Sequence, residues 1–459
     1  MISHNGPAPA ADWFSRDSRG FRVSHHGTAA GAALLCFVFF YFHRSQTYAG
    51  DGALLARIIE GGRWLVQNEL LSQAFLELLF QLASPWQRTA LEIMNLVSCA
   101  GGALSVWILL RFARRLYHLP AQYPLLLFFS SGFLVYSCGH TEYYPLVLPA
   151  LLGYGYSGVA YLRRNAPLTP ACVIFVLGCG LHFVTLLALP SLLLLPWLSR
   201  RKQDYSSILI WSMLLIPLFL IRVYPQILGH QAAGLSPAWN VLPLFPYPGM
   251  YRWYAFFQWS HWLDWLYAWS MRSWLFLPLT AWLVWRQGVR SLRLPERQFL
   301  VVFLLAFTAW TTVWHPDLGV EADWDLFALE AAPGLLLLLS YWPDGPRQRF
   351  VHAVVMLAAV ASVAVTYSRV LAQAAFPRLG YGAARIDTPH PGATVFTMDG
   401  LNQPLHRGRV REGIYWCKWV DSEVRAAGDF WLVVTAGETT AARLDKPLRG
   451  EGWLSVSDR

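Results

Sequence analysis

Residues 163–202 read RRNAPLTPACVIFVLGCGLHFVTLLALPSLLLLPWLSRRK. Two basic clusters, Arg163/Arg164 and Arg200/Arg201/Lys202, bracket a stretch without an acid, lysine or arginine. One bilayer crossing takes about 20 apolar residues at 1.5 Å rise each. A single tilted helix would leave the two clusters on opposite sides of a membrane. Cytoplasmic loops collect Arg and Lys, so both clusters belong on the same side. The chain must therefore cross twice between them, with a turn near Gly180-Leu181-His182.

The rest of the chain follows the same logic. Of 459 residues, 55% are hydrophobic and 14% charged, and mean hydropathy is +0.36. Soluble domains carry about 25% charged residues, so this chain lacks the polar groups to cover a water-facing surface. Apolar runs lie near 27–42, 90–110, 121–138, 145–162, 168–182, 184–198, 206–224, 272–285, 298–314, 326–342 and 350–370. They predict an all-α polytopic membrane protein of about 11 transmembrane helices, several of them short. With the double crossing, Arg16/Arg19/Arg22, Arg111/Arg114/Arg115, Arg163/Arg164, Arg200–Lys202, Arg286/Arg290/Arg293/Arg297 and Arg347/Arg349 all fall on one face. The tail 1–26 is then cytoplasmic and the segment 373–459 extracytoplasmic. The first run ends in FVFFYF without a small-residue cleavage site and reads as a retained span. The net charge of +9 lies largely in these Arg clusters and argues for orientation, not nucleic-acid binding. The 23 Trp and 20 Tyr suit interfacial belts. The six cysteines show no CxxC or Cys/His zinc spacing.

This orientation gathers the acids on the outer side. Asp51, Glu60, Glu69, Glu77, Glu142, Asp264, Asp317, Glu321, Asp323 and Asp325 all fall there. The outer loop 43–89 holds GDGALLARIIEGG and then NELLSQAFLELLFQL, whose apolar spacing fits a helix lying in the interface. The loop 225–271 is rich in aromatics, Pro and Gly. The tail 373–459 is polar and mixed, with ATVFTM and DFWLVVT as strand candidates, and reads as a small α+β domain. Neither an internal repeat nor the inverted repeat of many transporters is visible.

Three outer stretches carry candidate chemistry. Asp51 lies between two glycines; it either caps the helix that follows or serves as a general base. In CGHTEYYP, His140 and Glu142 stand between two tightly connected spans, where a charge is costly unless it meets a cavity or partner. Snorkelling to the interface is the plainer reading. His182, in CGLHFVT, sits at the same level and is either a structural or a binding residue. In WHPDLGVEADWDLF, Asp323 and Asp325 would hold a divalent cation such as Mg²⁺ or Mn²⁺, or cap the next helix. Arg57, Arg63, Arg222, His230, Arg252 and His315 are the outer basic groups available to an anionic leaving group.

Together these stretches resemble the GT-C superfamily of membrane glycosyltransferases, in its aminoarabinose- and mannosyltransferase-like bacterial members. DGALLARIIEGG is similar to their first outer loop, with an acid after the first span, an interfacial helix and a closing Gly-Gly. GHTEYYP, GLHFVT and WHPDLGVEADWDLF resemble further family segments, and the likeness covers about residues 27–372. It implies a GT-C-like transmembrane domain over 27–372 with outer loops 43–89, 225–271 and 315–325. The implied reaction moves a sugar from a polyprenyl-phosphate donor to a glycan, lipid or protein acceptor of the cell envelope, on the outer face of a bacterial inner membrane. Asp51 would be the base and Glu142 a second catalytic acid. Arg57, Arg63, His140, His182, Arg252 and His315 would bind substrate. Many relatives have two adjacent acids in the first loop, whereas Gly52 follows Asp51 here. A lipid-linked-sugar transporter would place its acids near the midplane on broken helices. An inactive scaffold is the third reading.

Overall fold

The computed structural model describes residues 20–45, 52–61, 69–217, 276–314 and 324–342, most of 256–266 and 356–370, a few isolated positions, and five strands between 394 and 444. The described chain before 371 is helical. α1 spans Gly20–Phe42, α2 Gly52–Gly61, α3 Leu70–Ala83, α4 Ala90–Tyr117, α5 Gln122–Phe129, α6 Phe133–Ser137 and α7 Tyr144–Arg164. α8 spans Thr169–Leu181, α9 Leu189–Ser199, α10 Tyr205–Ser212, α11 Phe276–Gln287, α12 Pro295–Val313, α13 Trp324–Ala328 and α14 Ala331–Ser340. Among the described residues, α4 and α7 are long and apolar enough to cross a bilayer. Gly27–Phe42, Thr169–Leu181, Phe183–Ser199 and Leu326–Ser340 are shorter apolar helices.

The run 121–138, expected as one span, is broken. Ser130 and Ser131 turn their hydroxyls back onto the carbonyls of Leu127 (2.9 Å) and Phe128 (2.7 Å), and Gly132 follows. Such back-bonding competes with the helix ladder and ends α5. In the region 163–202, α8 stops at Leu181, His182 is extended, and a 3₁₀ turn over Phe183–Ala188 leads into α9.

α4 packs between α1 and α7, and α7 also touches α8, α12 and α14. Their shared core holds Phe40, Phe112, Tyr154, Phe303 and Leu336. One end of the bundle is basic. There Arg114 donates to Thr28 (2.6 Å), Arg164 to the Arg115 carbonyl and Arg201 to Asn165 (2.5 Å). Arg163 pairs with Glu296 at 3.6 Å, and Arg297 donates to the Ser340 carbonyl at 2.8 Å. Arg114, Arg115, Arg163, Arg164, Arg201 and Arg297 thus meet at a common end, whereas Arg44 and Arg88 lie at the other.

The opposite end carries α2 and α3 over a second, smaller core of Ala56, Ile59, Leu76, Ala90, Ile93, Met94, Val97 and Tyr143. α3 buries Ser72, Gln73 and Glu77 beside Leu76 and exposes Phe75, Leu78 and Leu82. That pattern fits a lipid-facing surface. In the tail, the strands Thr394–Met398, His406–Arg411, Ile414–Trp419, Phe430–Ala436 and Glu438–Leu444 (β1 to β5) form one sheet in the order β3-β2-β1-β4-β5. β1 and β4 run parallel and the other neighbours antiparallel. Both strand candidates coincide with strands, β1 and β4.

Candidate active site

α4 begins with Thr89 and Glu92 in a capping box. Thr89 accepts from the Glu92 N–H (3.3 Å), and the Glu92 side chain accepts from the Thr89 N–H (3.2 Å). Glu60, from the end of α2, accepts from the Ala90 N–H at 3.2 Å. A helix N-terminus has orphan donors and a positive dipole end, so it attracts such a carboxylate. This bond and the small core lock α2 onto α4.

The start of α2 meets the GHTEYYP segment. A Cβ on Gly52 would lie 2.6 Å from the Thr141 carbonyl oxygen and 2.7 Å from the Thr141 Cβ. Only glycine allows this approach. Gly52 is the neighbour of Asp51 and Thr141 the neighbour of Glu142, so the structure joins the two loops that carry the candidate acids. Asp51 itself lies outside the described residues. Glu142 is half-buried, and His140 and Thr141 are buried.

The segment 138–142 is held from below by α4. Ser98 Oγ donates to the Tyr136 carbonyl and accepts the N–H groups of Gly139 (3.2 Å) and His140 (3.0 Å). Gly139 has φ +83°, a left-handed conformation natural to glycine. A Cβ there would meet Arg44 Cβ and Ser45 N, both at 2.9 Å. The Ser45 N–H donates to the Cys138 carbonyl at 2.8 Å, and Asn95 Nδ2 donates to the Ser45 carbonyl at 3.0 Å. The end of α1, the first third of α4 and the 138–142 segment thus form one polar junction within the bundle.

His182 joins this region through rings. His140 lies 5.4 Å from Tyr136, Tyr136 lies 6.3 Å from Tyr144, and Tyr144 lies 5.4 Å from His182. His182 Nδ1 accepts from the Val184 N–H at 3.0 Å, so its proton sits on Nε2, which faces Glu69 Oε1 at 3.2 Å. Beside it, Ser72 Oγ donates to the Leu181 carbonyl at 2.8 Å. The pair therefore ties α3 to the α8 break, and with the Val184 N–H it takes up both ring nitrogens.

Arg63, Arg252, His315 and Asp323 lie outside the described residues, as does Asp51. Arg57 and Asp325 are described only as backbone positions on α2 and α13. Among the described residues, no three His, Cys, Asp or Glu side chains gather as a metal site would need.

Several polar groups escaped the sequence reading. Arg44 lies at the end of α1, its guanidinium 4.0 Å above the Tyr41 ring. His43 Nδ1 donates to the Phe39 carbonyl (2.8 Å), while Nε2 accepts from Tyr367 (2.9 Å). Glu330, only 3% exposed, accepts from Thr308 (2.5 Å) and Thr311 (2.9 Å) on α12. It pins the α13–α14 corner. His261 is buried next to the last turn of α12; burial lowers its pKa, against a weaker upward pull from a hydrogen bond to the Thr312 backbone. The signal for these residues was present as lone polar letters within or beside apolar runs.

No family model matches the chain, and no curated protein matches it. Among solved structures, it is similar to the crystal structure of ArnT from Cupriavidus metallidurans bound to undecaprenyl phosphate. The TM-score is 0.50 at 12% identity, over 78% of this chain. The chain shares the fold of that structure. The chain spans 66% of the ArnT structure, just under two thirds of its length. In this chain Asp51 follows α1 in the sequence, and α2 and α3 cover the end of α4.

Proposed function

We propose that the protein is an integral membrane glycosyltransferase that moves a sugar from a polyprenyl-phosphate donor to a cell-envelope acceptor. The observation that carries this reading is the contact of Gly52 with Thr141, which brings the loops of Asp51 and Glu142 together in a GT-C fold. Similarity to a structure holding undecaprenyl phosphate supports a lipid-phosphate donor.

In this reading Asp51 accepts the proton of an acceptor hydroxyl. That oxygen attacks the anomeric carbon as the bond from this carbon to the phosphate oxygen breaks, and the configuration inverts. A general base must reach the proton it takes, which a loop directly after the first helix allows. Glu142 would orient the acceptor. Arg57, Arg63, Arg252, His140 and His315 would surround the leaving phosphate, where fixed positive charge lowers the barrier. Asp323 and Asp325 would hold a divalent cation that adds to this charge. The site would face the outer side of a bacterial inner membrane, with 373–459 as an extracytoplasmic domain.

The test uses purified protein in lipid vesicles with polyprenyl-phosphate sugars and extracted envelope acceptors. Transfer by the wild type and a loss of at least about 100-fold in Asp51→Asn are expected for a general base. Equal transfer by both proteins would remove Asp51 from the chemistry. An unchanged rate in EDTA would remove the cation.

A further inference from the structure

We propose that Asn95 and Ser98 of α4 are positioning residues for this reaction. The inference rests on the transferase reading above and names the pair that sets its acid-bearing loops. Asn95 and Ser98 lie three residues apart, hence on one face of the helix. Both are almost wholly buried, at 3% and 1% exposure.

Ser98 spends its whole hydrogen-bonding capacity on the 136–140 backbone. Its single hydrogen goes to the Tyr136 carbonyl and its two lone pairs receive Gly139 N–H and His140 N–H. α6 ends at Ser137, so these two consecutive N–H groups are where the chain leaves the helix. The left-handed turn at Gly139 points both at one oxygen. Alanine would remove the acceptor of the buried Gly139 N–H and leave the His140 N–H only its longer bond to the Tyr136 carbonyl, at 3.3 Å. The next two residues are Thr141, which meets Gly52, and Glu142. The orientation of both follows from this turn.

Asn95 acts on the other side of the junction. Its amide donates to the Ser45 carbonyl, and the Ser45 N–H donates to the Cys138 carbonyl. Its Oδ1 has no hydrogen-bond partner among the described residues and would lie 3.0 Å from a Cβ on Gly139. An acceptor buried without a donor costs stability. Its retention fits a residue placed for geometry. Asn95 thus sets the exit of α1, which leads to Asp51, and Ser98 sets the entry to Glu142.

The experiment compares Ser98→Ala, Asn95→Leu and Ser105→Ala in vesicles. Ser105 is a matched control: it is buried on the same helix and its hydroxyl donates only to the Gly101 carbonyl of its own helix, at 2.8 Å. Displacement of reacting groups by about 1 Å lowers turnover by about 100-fold. Ser98→Ala and Asn95→Leu should lose about 10- to 100-fold in kcat, with KM for the lipid donor and the pH profile unchanged. Ser105→Ala should keep kcat. Ser98→Thr, which keeps the hydroxyl, should recover part of the rate. Equal kcat losses in all three variants, or wild-type kcat in Ser98→Ala, would overturn the assignment. Hydrogen exchange at Gly139 and His140 separates the two readings. Wild-type protein without transfer sinks the proposed function, whereas unchanged exchange in Ser98→Ala sinks the positioning role.

Discussion

Gly52→Ala probes the contact on which the candidate site depends. The added Cβ would press first on the Thr141 hydroxyl, and even with that hydroxyl rotated away it would stand 2.6 Å from the Thr141 carbonyl oxygen, while ordinary contact begins at 3.4 Å, so the start of α2 must retreat by at least about 0.8 Å. Retreat is resisted, because Glu60 holds the α4 N-terminus and Ile59 fills the small core. Overpacking of this kind costs about 1–3 kcal/mol, partly offset by up to about 1 kcal/mol from alanine's better helix propensity. Stability should therefore fall by only about 1–2 kcal/mol. The rate should fall far more. Asp51 is bonded to Gly52, and displacement by about 1 Å costs about 100-fold in turnover. Initial rates of sugar transfer and thermal unfolding in detergent give the two numbers. Adding Thr141→Ala removes the hydroxyl but leaves the carbonyl, so it should not restore the rate. A Gly52→Ala protein with wild-type turnover, or rescue by Thr141→Ala, would show that this backbone contact does not place the base.

Glu69→Gln keeps an amide oxygen to accept from His182 Nε2–H and removes only the charge, so it should destabilise the protein by about 1 kcal/mol, and unfolding in detergent measures it. A rise in stability would mean that the carboxylate at 3.2 Å from His182 is held against its own desolvation. For His261, burial lowers the folded-state pKa below the usual 6.5, so the unfolded chain binds the proton more readily. Its contribution is complete above about pH 6.5 and is lost as pH falls below that value. Protection from hydrogen exchange across the last turn of α12, corrected for the intrinsic pH dependence of exchange, should fall between about pH 7 and 5.5, and His261→Asn should flatten the change.

How legible each part was depended on sequence distance. The apolar runs announced the bundle because burial in a membrane fold needs long stretches of one kind of side chain. The break at Gly180–His182 followed from charge on its flanks and agrees with the end of α8. The acids of DGALLARIIEGG and GHTEYYP were visible one by one, but their meeting was not. It depends on glycine backbone, which carries no side-chain signal. Glu69 and His182 were each noted, yet nothing in either segment pairs them. Asn95, Ser98 and Glu330 were hidden for a different reason. A polar residue in an apolar run looks the same whether it faces a carbonyl, a cavity or lipid, and only tertiary structure tells these apart.

The lack of a second acid directly after Asp51 follows from the same packing. The resemblance to GT-C members implies a second acid directly after the first, at the position that Gly52 fills here. In this chain the position is closed, since even a Cβ would press on the Thr141 carbonyl. An aspartate or glutamate at residue 52 would force α2 off α4. The contact that excludes a second acid there also brings in the segment that carries Glu142. The mechanism therefore predicts a division of labour, with Asp51 from one loop and Glu142 from another. Gly52→Asp should not create a more active enzyme; it should behave as an aggravated Gly52→Ala, with a larger loss of both stability and turnover. If Gly52→Asp instead rescued Glu142→Gln, the two acids would be interchangeable, and position 52 would have to be open enough to hold a carboxylate.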